Sequence, residues 1–216
     1  MFGGPLKVVG ASRTDAGVHA LGQVVSLSVE SRLQSLAIRS ALNSQLPPDI
    51  RVIEVAEAPP GFDARRSARA KRYLYLIDNG PLASPLLRRY AWHVPYRLDL
   101  GAMRIALRCL RGKHDFSAFC AAAGRPRTPT CTLYSGHLVA RRGIVAGFLS
   151  ADSFLHHMVR NIVGSLVEIG RGHRPAAWMA DLLAGRDRRR AGPTAPAHGL
   201  MLLRVLYPID RFHPGA

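Results

Sequence analysis

The longest amphipathic pattern in this sequence covers residues 154–171, and a helix of this kind must bury one face against another layer. Its apolar residues recur at helical spacing, and glycines at 170 and 172 end the pattern: Leu155, Met158, Val159, Ile162, Leu166 and Ile169. Strand patterns, in which apolar and polar residues alternate, lie at 24–29, 69–77, 131–140 and 143–151. The sequence therefore predicts an α+β fold.

Shorter patterns complete the predicted order of elements. Strands are predicted at 6–9, 50–56 and 199–208, and helices at 33–46, 99–111 and 175–184. The resulting order is β-β-α-β-β followed by α-β-β-α-α-β, which predicts two sandwiches of helices on antiparallel sheet. We place the boundary between residues 85 and 86, so the predicted domains are 1–85 and 86–216.

The charge balance favours a polyanionic partner. Thirty lysines and arginines stand against 14 acidic residues, a formal net charge of +16. A domain this basic repels itself unless polyanions surround it, and phosphate backbones are the most common polyanions in cells. No apolar run reaches the ~20 residues of a membrane span, and no secretory signal opens the sequence. We therefore expect a cytoplasmic protein that binds nucleic acid and has no membrane partner.

Metal and disulfide chemistry find little support in the sequence. The three cysteines are too few and too widely spaced for a disulfide framework or a Cys-x-x-Cys zinc site. His156 and His157 are adjacent in the predicted helix 154–171, and adjacent helical residues point about 100° apart. We therefore predict no metal site, with the two histidines lying in the core or facing RNA.

A loop between two predicted strands carries the most informative carboxylate. Residues 10–20 are small and turn-forming, and Asp15 lies among them. Such a loop can hold a carboxylate ionised and accessible, as a nucleophile requires. The alternative is a tight turn, in which Asp and Gly make local hydrogen bonds. The triplet Asp15-Ala16-Gly17 taken alone favours the turn.

Three longer motifs follow one another along the chain. The first is Gly10-x-x-Arg13-Thr14-Asp15-Ala16-Gly17-Val18-His19-Ala20-x-Gly22-Gln23-Val24. The second is Arg72-Tyr73-Leu74-Tyr75, a basic and aromatic strand. The third is Phe154-Leu155-His156-His157-Met158-Val159-Arg160-Asn161-Ile162-Val163-Gly164. In these motifs and their order, over roughly residues 5–210, the sequence resembles the tRNA pseudouridine synthase A family.

The resemblance implies a fold and roles for four residues. It implies two ferredoxin-like (RRM-like) α/β halves, whose antiparallel sheets join into a central sheet with a catalytic cleft between them. Asp15 would be the catalytic nucleophile that attacks the target uridine, so that the base detaches, rotates and rejoins the ribose through carbon. Tyr73 would stack on the extracted base, and Arg13 would touch RNA beside it. Arg160 would pair with the Asp15 carboxylate.

The resemblance also implies a substrate and an assembly. The substrate would be tRNA, at uridines 38, 39 and 40 of the anticodon stem-loop, and the protein would be a homodimer. No cofactor or metal is expected, because the reaction is an isomerisation without net redox change or hydrolysis. Members of the family normally begin with a strand and a helix ahead of the catalytic loop. Nothing in residues 1–9 matches that opening, so we expect the first half to lack this segment.

The residues support this interpretation independently of the resemblance. Chemistry on a paired base requires its extrusion into a pocket with aromatic stacking, and RNA is held by a basic surface. Candidate phosphate contacts are Arg65-Arg66, Arg69, Lys71-Arg72, Arg88-Arg89, Arg125, Arg127 and Arg188-Arg189-Arg190. The last run is equally typical of a solubilising surface. Arg141-Arg142 is interpreted as a solvated turn, and Tyr75 as sheet packing.

Arg160 borders the apolar stripe of its helix, one turn after His156. A cation there is partly desolvated and requires a partner. Of the 14 acidic residues, Asp15 is the one that lies in a motif loop. We therefore predict that the Arg160 guanidinium lies within about 4 Å of the Asp15 carboxylate; the alternative is an arginine whose charged end reaches solvent.

Two other functions remain open. One is a non-catalytic module that binds or folds tRNA through the same basic surface. The other is a hydrolase that uses Asp15 and His19, which is disfavoured because no serine or cysteine lies in a recognisable nucleophile elbow.

Overall fold

The strongest strand patterns of the sequence form the centre of a seven-stranded sheet. The computed structural model describes residues 6–122 and 126–208. The strands are β1 (Val9–Gly10), β2 (His19–Ala20), β3 (Val25–Ser26), β4 (Ala70–Asp78), β5 (Trp92–His93), β6 (Gly112–Asp115), β7 (Thr130–Arg141), β8 (Ile144–Ala151) and β9 (Leu200–Leu206). The helices are α1 (Ser35–Gln45), α2 (Leu100–Arg108), α3 (Met158–Gly170) and α4 (Trp178–Gly185).

Contacts within the chain group the described residues into two units. The first contains residues 6–12, 24–69 and 206–208, and the second contains 13–23 and 70–205. Contact density alone does not define a folding domain, so the boundary between residues 85 and 86 stays a prediction.

The sheet of the second unit is mixed. Its strand order is β2-β9-β4-β8-β7-β6, and β5 pairs with β4 beside this path. The central pairs are antiparallel, with Tyr73 of β4 opposite Leu149 of β8, and β7 and β8 form a hairpin. The pairs β2–β9 and β4–β5 are parallel. The predicted α+β class is confirmed, and the parallel pairs are additions to the antiparallel pattern that we expected.

Helix α3 lies in the core, as its apolar stripe predicts. Its buried stripe includes Met158, Ile162, Leu166 and Ile169, and each such side chain stabilises the fold by about 1.5–3 kcal/mol. Helix α2 packs beside α3 and β7. In the described ranges of the chain, no helix has the length and apolarity that crossing a bilayer requires.

The first unit contains the one predicted strand that is wrong. Its two-stranded ladder pairs β1 with β3, but residues 50–56 form no strand. Ile53 is 65% exposed. The backbone of Val52 instead hydrogen-bonds the Asn43 side chain of α1, donating at 2.7 Å and accepting at 2.9 Å. These bonds satisfy the backbone groups that a neighbouring strand would otherwise pair.

Candidate active site

The loop that carries Asp15 is a tight turn anchored to the large sheet. The Val18 N–H donates to the Asp15 carbonyl at 3.0 Å, and Gly17 between them has φ +82°, a conformation that favours glycine. Strand β2 follows at once and pairs with β9. The turn interpretation and the functional interpretation are thus compatible, because the turn fixes the carboxylate while leaving it 27% exposed.

Arg160 pairs with Asp15, as predicted. Its Nη1 donates to Asp15 Oδ2 at 2.7 Å, and its own side chain is only 13% exposed. A charge-assisted contact of this length is stronger than a neutral hydrogen bond. The guanidinium therefore stabilises the negative charge of the carboxylate and fixes where it points.

The chain after residue 192 holds Arg160 in place. Arg160 Nε donates to the Ala195 carbonyl at 2.7 Å, and the Arg160 carbonyl accepts from the Ala195 N–H at 3.2 Å. This close approach to α3 requires Gly164, because a Cβ there would lie 1.7 Å from the Pro193 carbonyl oxygen. One short segment thus restrains both the backbone and the side chain of the arginine.

A buried polar network supports that segment. Asn161 has no exposed surface, and its Nδ2 donates to the Phe119 carbonyl at 2.7 Å. Its Oδ1 accepts two hydrogen bonds, from Thr194 Oγ1 at 2.7 Å and from Arg188 Nη2 at 3.0 Å. Arg188 also donates to the Gly192 carbonyl at 2.9 Å. Burial lowers the pKa of Arg188 below its ordinary value. Arg188, the half-buried member of the run 188–190, therefore has a structural role.

Arg189, next to Arg188 in the same run, faces solvent. Arg189 pairs with the Asp187 carboxylate at 2.9 Å and is highly exposed. It remains a candidate for a phosphate contact, together with the other exposed cations of the sequence. Arg125 from that group lies outside the described residues.

Two histidines that we expected to point apart instead face Asp15 together. His156 Nε2 lies 3.4 Å from Oδ1 and His157 Nε2 lies 3.2 Å from Oδ2, with ring centroids 4.0 Å apart. The helical argument for their separation is wrong because α3 begins at Met158, and His157 has a left-handed backbone with φ +62°. Burial lowers the pKa of His157, whereas the nearby Asp15 charge opposes that shift.

Tyr73 and Arg13 are the other two residues to which the sequence assigns a role in the site. Tyr73 lies on β4, is 5% exposed, and packs edge-to-face on Phe154 with centroids 4.9 Å apart. Phe154 lies two residues before His156 in the sequence, so Tyr73 packs against the segment that carries both histidines. Arg13 is exposed, two residues before Asp15.

Tyr75 and His19 have structural contacts. Tyr75 is buried, its hydroxyl donates to the Pro196 carbonyl at 2.8 Å, and burial raises its pKa. The interpretation of Tyr75 as packing is thus supported. His19 Nε2 contacts the Arg89 carbonyl oxygen at 2.8 Å, and its ring lies 4.9 Å from that of Tyr90. These contacts argue against a hydrolytic pair of His19 with Asp15.

Sequence reasoning missed the groups that hold the site. Asn161 and Gly164 both lie inside the apolar pattern of α3, and each residue type is unusual there and indicates a specific contact. A polar amide in a buried stripe must be hydrogen-bonded, and a glycine within a helix often marks a close backbone approach. The resulting arrangement is an accessible carboxylate held by one buried cation and flanked by two imidazoles.

Comparison with known proteins identifies the class to which this fold and site belong. The family model described as tRNA pseudouridine synthase matches residues 3–65 and 106–208. The chain belongs to the tRNA pseudouridine synthase family, whose members are isomerases.

Curated relatives narrow the match within that family. A protein of Myxococcus xanthus named tRNA pseudouridine synthase A is 44% identical over 208 residues, which cover 96% of this chain and 78% of the relative. Its namesake in Geobacillus kaustophilus is 45% identical over 95% of this chain and 80% of the relative. The Klebsiella pneumoniae namesake is 43% identical over 94% of this chain and 76% of the relative.

Proposed function

We propose that this protein converts uridine to pseudouridine in tRNA, with Asp15 as the nucleophile. The observation that carries the proposal is the 2.7 Å ion pair between Asp15 and the largely buried Arg160. An ionised carboxylate with an accessible oxygen suits nucleophilic chemistry. Family membership and the names of the relatives support the reaction.

The reaction balances as an isomerisation. A carboxylate oxygen of Asp15 bonds to C1′ of the target ribose as the bond from C1′ to the base nitrogen breaks, and the base leaves with that electron pair. The base turns, and its C5 bonds to C1′ as the Asp15 carboxylate departs with the electron pair of its own bond. The hydrogen on C5 then leaves as a proton, so the enzyme is regenerated. Because Oδ2 is held by Arg160, we assign the attack to Oδ1.

Three other residues receive roles in this proposal. Arg160 positions the carboxylate through Ala195 and stabilises its charge. Tyr73 stacks on the extruded base and assists loss of its proton, as extrusion requires an aromatic wall. Arg13, exposed beside the nucleophile, contacts the RNA backbone near the target nucleotide.

We further propose that the targets are uridines 38, 39 and 40 of the anticodon stem-loop, and that the enzyme is a cytoplasmic homodimer. The resemblance of the three motifs supports these assignments. The net charge of +16 supports a polyanionic substrate.

Release of tritium from tRNA labelled at C5 of uracil tests the reaction, since only carbon–carbon bond formation expels that hydrogen. Three transcripts, each with uridine at only one of positions 38, 39 and 40, test the target sites. We expect release from each transcript and none from a transcript with cytidine at all three. Tight tRNA binding without release would contradict the proposal and favour the non-catalytic module.

A further inference from the structure

The cluster around Asp15 has the composition of a metal site. Asp15, His156 and His157 each offer one ligand atom, and these three atoms lie within 4.8 Å of one another. Both imidazoles present Nε2 to the carboxylate, at 3.4 and 3.2 Å. The left-handed backbone of His157 is what turns two adjacent histidines toward one point.

The spacing fits a small tetrahedral ion. Ligand atoms that lie about 2.0–2.1 Å from a tetrahedral Zn²⁺ are roughly 3.3–3.5 Å from one another. The distance from His156 Nε2 to Asp15 Oδ1, 3.4 Å, already lies in that range, whereas His157 Nε2 lies 3.2 Å from the other oxygen, Oδ2. Modest rotation of the His157 ring, which its partial exposure permits, would bring its Nε2 within range of an ion bound to Oδ1.

We propose that Asp15, His156 and His157 bind one divalent transition-metal ion of the Zn²⁺ class, and that this binding inhibits the enzyme. Inhibition follows because the ion would occupy the carboxylate oxygen that attacks uridine. The inhibitory part rests on the proposed role of Asp15, whereas the binding part stands without it. The ion is an inhibitor here and has no part in the isomerisation.

Ligand chemistry determines which ions the site accepts. Imidazole nitrogens suit Zn²⁺, Co²⁺, Ni²⁺ and Cu²⁺, while Mg²⁺ requires oxygen ligands in octahedral geometry. The Mg²⁺ that stabilises folded tRNA should therefore leave this site unaffected. Three protein ligands leave a fourth position open to water.

Arg160 opposes the ion but does not exclude it. Its Nη1 holds Oδ2 at 2.7 Å, so Oδ1 is the oxygen that remains for the metal. The positive guanidinium repels a dication at this range. The affinity for the metal ion should consequently be lower than in a site with the same ligands and no arginine. Because the affinity is lower, a chelator can remove the ion.

Cobalt binding tests the site directly. The full-length protein, stripped with EDTA, is titrated with Co²⁺, whose visible absorption reports tetrahedral coordination. We expect a saturable band at one ion per chain, with affinity at least about tenfold weaker in His156→Ala and in His157→Ala. His137→Ala is the matched control, because His137 is an exposed histidine of β7 stacked on Phe148. Equal Co²⁺ affinity in the wild type and all three variants would overturn the proposed metal site.

Zinc inhibition of tritium release then tests the consequence. At constant Mg²⁺, Zn²⁺ should inhibit the wild-type and His137→Ala proteins equally, and EDTA should reverse the effect. In the two other histidine variants, inhibition relative to each variant's own rate should require at least about tenfold more Zn²⁺. A saturated cobalt site without zinc inhibition would overturn the inhibitory part. An active Asp15→Asn protein would overturn the proposed function while leaving the cobalt result intact.

Discussion

Replacing Gly164 by alanine should damage the site from a distance. The added Cβ would lie 1.7 Å from the Pro193 carbonyl oxygen and 2.9 Å from its carbon. Restoring ordinary contact requires the segment 193–195 to move by about 1.5 Å. Ala195 in that segment accepts the Arg160 Nε–H bond at 2.7 Å, so the movement reaches the Asp15 ion pair.

Two opposing contributions determine how much Gly164→Ala changes the free energy of unfolding. Overpacking of this kind costs about 1–3 kcal/mol, and alanine recovers about 1 kcal/mol through helix propensity. Because the clash is with backbone, we expect the upper range, a net loss of about 2 kcal/mol and a Tm lowered by roughly 4–8 °C. A misplacement near 1 Å costs on the order of 100-fold in rate, so kcat for tritium release should fall by about that factor.

Thermal melting and single-turnover tritium release measure both effects. Gly185→Ala is the matched control, since its Cβ would meet only the flexible end of Arg190 at 3.2 Å. That control should keep the wild-type Tm within about 2 °C and the wild-type rate within about twofold. If Gly164→Ala behaves like Gly185→Ala, the close approach does not position Arg160 and the reasoning fails.

Three further perturbations test other parts of the account. Arg160→Lys should lower kcat by about 10–100-fold with little change in KM, since one ammonium cannot hold Asp15 and Ala195 together; an unchanged kcat would contradict this. Tyr73→Phe should bind tRNA as the wild type does and react far more slowly; full activity would leave Tyr73 only a stacking surface. If about six phosphates are neutralised, log K for tRNA should fall with a slope near −5 against log[salt], and a slope shallower than about −2 would mean that the basic surface is not the binding surface.

Strong periodicity made much of the large sheet predictable. Strands β4, β7 and β8 and helix α3 lie within a few residues of their predicted ranges. Strand β6 was missed because its four residues, Gly112–Asp115, are polar and show no alternation; it is a strand only through pairing with β7. The strand at 50–56 was predicted from local pattern, but tertiary contacts of Val52 with Asn43 decide its conformation.

The site was predictable where a charge needed a partner. Desolvation of Arg160 required a partner, and the motif loop identified that partner as Asp15, although 145 residues separate the two in sequence. The histidine pair was not predictable, because its orientation depends on where α3 begins, and helix ends are the least certain features of a sequence pattern. The position of Asn161 in a buried stripe indicated that it needs hydrogen-bond partners, but the sequence could not identify them, since they depend on where the segment around Thr194 crosses the helix.

The most direct test of the account is the activity of Asp15→Asn. The amide is nearly isosteric with the carboxylate but cannot act as the nucleophile, so we predict no tritium release above background and tRNA affinity within a few-fold of wild type. Asp99→Asn is the control, since Asp99 caps α2 by accepting from the Ala102 N–H and asparagine caps equally well. Turnover by Asp15→Asn at a rate comparable to that control would contradict the central claim that Asp15 carries the chemistry.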